Sequence, residues 1–571
     1  MIRTDAADLG ARTVARLDDM RIAAALLALL AVFLFFHDLG GAALFDPDEG
    51  RNAEIAREIL ETGDWITPYY DFLPRLEKPM FFYAAIALSY KLFGVSEASA
   101  RFPSAVAALG ILLLIFFFVR RLYGDRAALW SGLVLATSVQ FNTFSRIVIL
   151  DMTLVFFITL ALVAYYRASV AEDRAERRRY YFLMYAAAAA ATLVKGPIGF
   201  VVPGMVVLAY IAARKKWASL AEMELGWGVV IFLLIVSPWY VAAEIRRPGY
   251  LAYFIGQEHF ARYLTPNFHR TKPWHYYLGI VAIGSLPWTF IVPAIAGRLW
   301  KKRDDLSLFA VLWIVVPFVF FSLSSSKMSE YLLPIYPALA ILAGPTIASA
   351  TESGRLRLFS VAWLLLAAAY LSLFFVLTMP AMLQTQASEI LRELPQGTAV
   401  LALIAAILFA ATAWLGFTQP TKALFPLCAL ALALVFLIAH RVVEPFSLQR
   451  SQKALGIQAA ALQRPGNAAI PFVIYNTYLP GLPFYLRIQK PMWVVYHPSG
   501  DDILGSFYLS ARKPAPAPGY ATRLLTHEEF EREWERRKLL VFVKNKRLWE
   551  LPGAKVVLRS EDVALVTNDK D

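Results

Sequence analysis

Fourteen apolar segments, each close to the length a bilayer demands, recur between residues 22 and 440, and this recurrence restricts the fold more than any motif. A span needs about 20 mostly apolar residues, because backbone N–H and C=O groups inside the hydrocarbon must bond within their own helix. The segments lie at roughly 22–37, 79–93, 100–119, 127–145, 151–168, 180–194, 197–213, 227–243, 274–297, 306–323, 331–350, 356–379, 399–417 and 422–440. Composition agrees: 58% of residues are hydrophobic and 17% charged, against about 45–50% and about 25% in soluble domains. An α-helical polytopic membrane protein follows.

Lysine and arginine clusters decide which segments cross, since they gather on the cytoplasmic side. The short clusters are Arg120-Arg121-Arg126, Arg167 through Arg177-Arg178-Arg179, Arg214-Lys215-Lys216, Arg298-Lys301-Lys302-Arg303, Arg355-Arg357 and Lys422. If all fourteen segments cross, every cluster falls outside. If 79–93 is withdrawn, every cluster falls inside. That segment is short, opens on Pro79 and carries Lys91, so it is expected to lie along the outer leaflet as an interfacial helix. Thirteen spans result, with a first outer loop at 37–99. Arg3, Arg12, Arg16 and Arg21 ahead of the first apolar run suggest a retained signal anchor with a cytoplasmic N-terminus.

The same placement explains the net charge of +13 as topology and removes the case for nucleic acid. Cys428 is the single cysteine, which excludes an intramolecular disulfide. Neither a glycine-rich phosphate loop nor an HExxH motif occurs. A transporter would place polar groups near the midplane on broken helices of related repeats, and no such repeat is visible. From Arg441 the composition shifts, which divides the chain into a membrane domain, 1–440, and an outward soluble domain, 441–571. Short β-rich runs are expected at Phe472–Tyr475, Pro483–Arg487, Met492–Tyr496, Leu539–Val543, Lys555–Leu558 and Val563–Val566. Thr526-His-Glu-Glu529 starts a helix with a capping box. Strands interleaved with helices predict a small α/β domain covering the outer face.

Parity brings the chemistry-bearing residues to that one face. Asp48-Glu49 follows Pro47 and precedes a helical pattern from Gly50 to Leu60; carboxylates there suit a helix N-terminus, so a plain cap is one reading. Asp151, in SRIVILD, sits between two apolar runs without an evident capping partner, and charge at a membrane boundary is costly unless used or solvated. Lys78, in LEKP, either snorkels or offers a compact charge to a phosphate; Lys195, in VKGPIG, is a similar case. Glu77 and His259 are the ligand types a divalent ion would take on this face, though two ligands far apart in sequence are a weak set.

The runs DPDEGRNAEIAREILETGDWITPYYDFLPRLEKPMFFY, SRIVILD, TLVKGP, GQEHFARYL and SKMSEYLLPIYPALA, in that order, resemble the membrane glycosyltransferases of the protein O-mannosyltransferase superfamily. The resemblance covers roughly residues 20–350 and looks closest to the 4-amino-4-deoxy-L-arabinose lipid A transferases. It implies a GT-C fold that moves a sugar from undecaprenyl phosphate to a lipid A phosphate at the periplasmic face of a bacterial inner membrane. That transfer lowers negative charge at the outer membrane and gives polymyxin resistance. It further implies Asp48 as the main catalytic carboxylate, with Asp151 and Glu49 beside it. Lys78 would hold the donor phosphate, with Arg51, Lys195, Arg262 and Arg270 as further cations, and Lys327 and Tyr331 would line the pocket. Related transferases include metal users, so a divalent ion at Glu77 and His259 stays open; a monomer is expected. Another sugar or a protein hydroxyl acceptor remains an alternative, as do a lipid-linked sugar flippase and a non-catalytic assembly subunit.

Overall fold

Each of the thirteen segments assigned to the bilayer coincides with a helix or a pair of helices in the computed structural model, which describes residues 20–264, 271–301, 304–354, 356–379, 394, 397–418, 423–462, 470–496 and 503–568. Among the described residues, eight helices are long and apolar enough to cross a membrane, nine if Tyr276–Gly284 and Trp288–Lys301, bent by 100°, form one broken span. The protein is integral to the membrane. That is fewer than the thirteen expected, and the remaining segments fall short for local reasons. Met20–Phe36 and Ile198–Arg214 are short, Asp125–Thr137 breaks from Val139–Ser145 at Ser138, and Arg174–Lys195 opens on a charged first turn.

The withdrawn segment forms the helix Phe81–Phe93, 13 residues and so about 20 Å long, well short of a hydrocarbon core of about 30 Å. Lys78, just before it, bonds Glu258, while at its far end the Tyr90 hydroxyl donates to the Ala53 carbonyl at 3.1 Å and Lys91 lies over the Trp65 ring. Both ends therefore touch groups of other loops, Glu258 at one and Ala53 and Trp65 of the first loop at the other. The cationic clusters meet elsewhere: Arg126 pairs with Glu352, Arg177 with Glu222, and Arg214 with Asp305.

The last apolar helix, Leu424–Gln449, runs past residue 440. Beyond it stands a six-stranded sheet in the order Arg523–Leu525, Trp493–Val495, Phe472–Tyr475, Leu540–Lys544, Val563–Thr567, Lys555–Arg559. The first four are parallel and the last two pair antiparallel. The expected strand at Pro483–Arg487 is instead the helix Leu482–Leu486, where a proline in the first turn suits a helix start. The strand Arg523–Leu525 was not anticipated. Thr526 caps His527–Arg536 through the reciprocal Glu529 bonds.

This domain closes on the loop of residues 37–99. The Arg57 guanidinium donates to Ile488 O at 2.7 Å, Met492 N donates to the Asp71 carboxylate at 2.9 Å, and Phe72 stacks on Tyr520. The loop helix Asp48–Thr62 approaches so closely that a Cβ on Gly50 would lie 2.4 Å from the Gly481 Cα. Glycine is required there for contact rather than for backbone freedom.

Candidate active site

The helix Asp48–Thr62 begins with two adjacent carboxylates that face different ways, as neighbours on a helix must, being about 100° apart. Asp48 lines a cavity of about 620 Å³ and pairs with Arg51 one turn on. Glu49 turns inward. One of its oxygens accepts from Val148 N at 2.8 Å and Arg101 Nε at 2.9 Å, the other from Phe45 N at 2.9 Å and Arg101 Nη2 at 2.8 Å. Arg101 completes its shell with the carbonyls of Leu39, Ala42 and Ala43. The expectation of a catalytic Glu49 is therefore corrected: it does not line the cavity and has no free lone pair to offer a substrate. It acts as a strut, and Asn52 adds a second tie by donating to Val148 O at 2.9 Å. Val148 stands three residues before Asp151, so Glu49 and Asn52 fix the Asp48 helix against the Asp151 turn.

Asp151 heads the helix Leu150–Ser169 and also lines the cavity. Its carboxylate accepts from Lys195 Nζ at 2.6 Å, and that ammonium lies 5.1 Å from the centroid of the Tyr331 ring. Lys195 ends its helix at Gly196, which has φ 84° and no room for a Cβ, since His259 Nε2 would be 2.5 Å from it. Opposite, residues 256–261 form a π-helical turn, a widening common at functional sites. It presents Glu258, whose Oε2 accepts from Lys78 Nζ at 3.1 Å and Arg262 Nη1 at 2.8 Å. Burial pushes the Glu258 carboxyl up, but Lys78 and Arg262 outweigh it and lower it to about 2. Burial pulls the Lys78 ammonium down to about 8, with Glu258 opposing.

The cavity has two chemistries. Arg51, Arg75, Lys78, Lys195 and Arg262 stand among Asp48, Glu77, Asp151, Glu258 and Glu330, while Leu154, Ile158, Val201, Val202, Phe320 and Phe321 line an apolar part. Such a space suits a molecule with an anionic head and a hydrocarbon chain. The soluble domain reaches it too: Arg75 donates to the carbonyls of Leu504 and Gly505 at 2.8 Å, and the Ser506 hydroxyl donates to Glu77.

Of the residues expected from sequence, Asp48, Arg51, Glu77, Lys78, Asp151, Lys195, His259, Arg262 and Tyr331 meet in this one cavity. Lys327 does not line it; its ammonium is spent on the Ser324 carbonyl at 2.6 Å, which closes the turn locally. Arg270 lies outside the described residues. Glu77 is engaged by Ser506 and Arg75, and both His259 ring nitrogens face carbonyls, Phe254 O at 2.8 Å and Lys195 O at 3.2 Å. Among the described residues, no three metal-ligating side chains converge, and as arranged Glu77 and His259 are an incomplete, already partnered set. Sequence reasoning missed Glu258, Arg75, Glu330 and Arg101. Glu258 stands four residues before Arg262, the helical ion-pair spacing, and so carried a visible signal. Arg101, inside an apolar-flanked helix, carried none.

Comparison with known proteins gives concordant matches. The family model described as dolichyl-phosphate-mannose-protein mannosyltransferase matches residues 77–241. The undecaprenyl phosphate-alpha-4-amino-4-deoxy-L-arabinose arabinosyl transferase of Aeromonas hydrophila is 29% identical over 418 residues, 71% of this chain and 75% of the relative. Its Pseudomonas aeruginosa counterpart is 32% identical over 335 residues, 58% of this chain and 60% of the relative. The crystal structure of ArnT from Cupriavidus metallidurans bound to undecaprenyl phosphate superposes with a TM-score of 0.82 at 27% identity, over 95% of this chain and 98% of that one.

Proposed function

We propose that this chain, which is similar over 95% of its length to ArnT from Cupriavidus metallidurans and over 71% to an aminoarabinose arabinosyl transferase, moves 4-amino-4-deoxy-L-arabinose from undecaprenyl phosphate to a phosphate of lipid A. The observation that carries this reading is the cavity itself, where Lys78 and Arg262 share the single carboxylate of Glu258 at the charged end and aliphatic and aromatic side chains line the rest, in a fold shared with a protein crystallised with undecaprenyl phosphate.

The chemistry follows from charge. An acceptor phosphate oxygen forms a bond to the sugar C1 while the bond from C1 to the donor phosphate oxygen breaks, its electron pair staying with that oxygen. Lys78 and Arg262 meet the charge that develops on the leaving phosphate. The acceptor phosphate is already ionised, so no strong base is needed, and Asp48 instead holds the sugar's ammonium and supports oxocarbenium character at C1. Asp151, neutralised by Lys195, holds the neighbouring wall in place. No step passes through a metal. An alcohol acceptor would need a carboxylate base at the same position, which is the protein O-glycosylation alternative.

We propose a bacterial inner membrane as its location, with thirteen spans and the cavity facing the periplasm. Paired cationic clusters at positions 126, 177 and 214 support that orientation. A single chain holds every residue the reading uses, so the working unit is a monomer. Mass spectrometry of lipid A from cells with and without the gene tests the function. The expected difference is one aminopentose per modified phosphate; no difference, with the protein present in the membrane, removes the reading.

A further inference from the structure

The cavity's ion pairs do not balance in one place. Arg51 is matched by Asp48, Lys195 by Asp151 and Arg75 by Glu77. Lys78 and Arg262, however, converge on a single carboxylate oxygen of Glu258. All three side chains line the cavity, and the Glu258 side chain, 3% exposed against 19% for each cation, is the most buried of them. Two like charges drawn this close need an anion between them, and Glu258 is that anion. The trio carries one net positive charge.

We propose that Glu258 is a positioning residue that sets the charge of the phosphate site, so that it fits the donor and expels the product. This rests on the undecaprenyl phosphate reading given above. The donor is a phosphodiester with one negative charge, which the trio neutralises. Transfer breaks the C1–O bond and turns the diester into a monoester carrying about −1.5 to −2 near neutral pH. That extra charge meets a carboxylate rather than a free cation. Glu258 thus holds Lys78 and Arg262 at a shared focus, the geometry a phosphate oxygen needs, and limits how tightly the dianionic product is kept. Without the carboxylate the two cations would suit the product better than the donor.

The test is Glu258→Gln, which keeps the shape and removes the charge. Binding of undecaprenyl phosphate to the purified full-length protein in detergent is measured by titration, and transfer by steady-state kinetics with the product as inhibitor. The expected result is undecaprenyl phosphate bound about tenfold more tightly, a smaller tightening for the donor, and a lower kcat, in a protein that still folds but melts earlier because a buried ion-pair partner is gone. Product binding that is unchanged or weaker in the folded variant overturns the proposal. Should the glutamine variant not fold, Glu258→Asp draws the carboxylate back by one methylene. It is expected to tighten product binding part of the way, and its failure to do so overturns the proposal equally. A wild-type protein that binds undecaprenyl phosphate yet transfers no aminoarabinose refutes the substrate reading alone, because the glutamine comparison is made on binding. A wild-type protein that does not bind undecaprenyl phosphate overturns both.

Discussion

Replacing Glu49 by glutamine separates the strut described here from the catalytic role that an adjacent acidic pair suggests. The carboxylate accepts four hydrogen bonds, two from Arg101 and one each from Phe45 N and Val148 N. A glutamine amide nitrogen must face at least one of those donors. Removing one partner of a buried ion pair costs roughly 3–5 kcal/mol. Arg101 keeps three carbonyl acceptors, so the lower end applies, about 3 kcal/mol, or roughly a hundredfold in the opening equilibrium of the first loop. The expected outcome is earlier unfolding of the detergent-purified protein and faster amide exchange at Phe45 and Val148. Transfer to lipid A should fall with this loosening, because Asp48 and Asp151 are no longer held together. Asp48→Asn is expected to abolish transfer at unchanged stability. A Glu49→Gln protein as stable as the wild type and yet inactive would refute the strut and return Glu49 to the substrate.

Other perturbations address different parts of the site. Lys195→Met leaves the Asp151 carboxylate, 5% exposed, without its partner and should destabilise by about 3 kcal/mol; adding Asp151→Asn should restore stability but not turnover, a coupling that thermal denaturation of all four proteins reads directly. Burial pushes Asp46 up to about 7, the Gly481 amide opposing and Glu49 reinforcing. A raised carboxyl pKa contributes stability that is complete below about 4 and lost as pH rises through about 7. Glu58 and Asp71, also buried and pushed up, share the sign. Contact between the first loop and the soluble domain should therefore be more protected from exchange at pH 5.5 than at pH 8, and Asp46→Asn should flatten that difference. Val201→Trp, in the apolar part of the cavity, should raise KM about tenfold for an undecaprenyl donor through overpacking and little for a short-chain donor; equal effects on both would place the chain elsewhere. Transfer is expected to survive excess chelator, and a loss reversed by added zinc would assign Glu77 and His259 as ligands.

How much of this was legible depends on the range of the interaction. The apolar segments, the helix at Asp48, the capping box at Thr526 and the short helix Phe81–Phe93 are local matters of hydropathy, length and turn chemistry, and sequence carries those. Parity expects Asp48, Lys78, Asp151 and Lys195 on one face, and the four do meet in one cavity. What sequence could not divide was Asp48 from Glu49. Both neighbours of the helix bury it, membrane helices on one side and the soluble domain on the other, so no polar face marks which residue looks into the cavity. Arg101 was invisible for the same reason, since its partners lie 52 to 62 positions away. Lys327 failed differently: a cation in a polar turn has carbonyls within reach of its own ammonium, and the nearest one took it.

The soluble domain then gains a role that composition alone does not give it. Arg75 is buried, with Glu77 as its ion-pair partner, and its contact with the soluble domain runs to the backbone carbonyls of residues 504 and 505, so substitutions in that segment leave the contact intact provided the turn keeps its path. Glu77 reaches Ser506 from the same strip of first loop, one residue before Lys78. The position of Lys78, and through it Arg262 and Glu258, is thus held from above by the sheet domain and from below by Phe81–Phe93. A truncation after residue 449 would leave every membrane helix intact and still remove two acceptors from a buried arginine. Leaving buried hydrogen-bonding groups unmet costs about 1–3 kcal/mol each, more for charged ones. Loss of donor binding by such a truncation, with the helices still folded, is what this coupling requires.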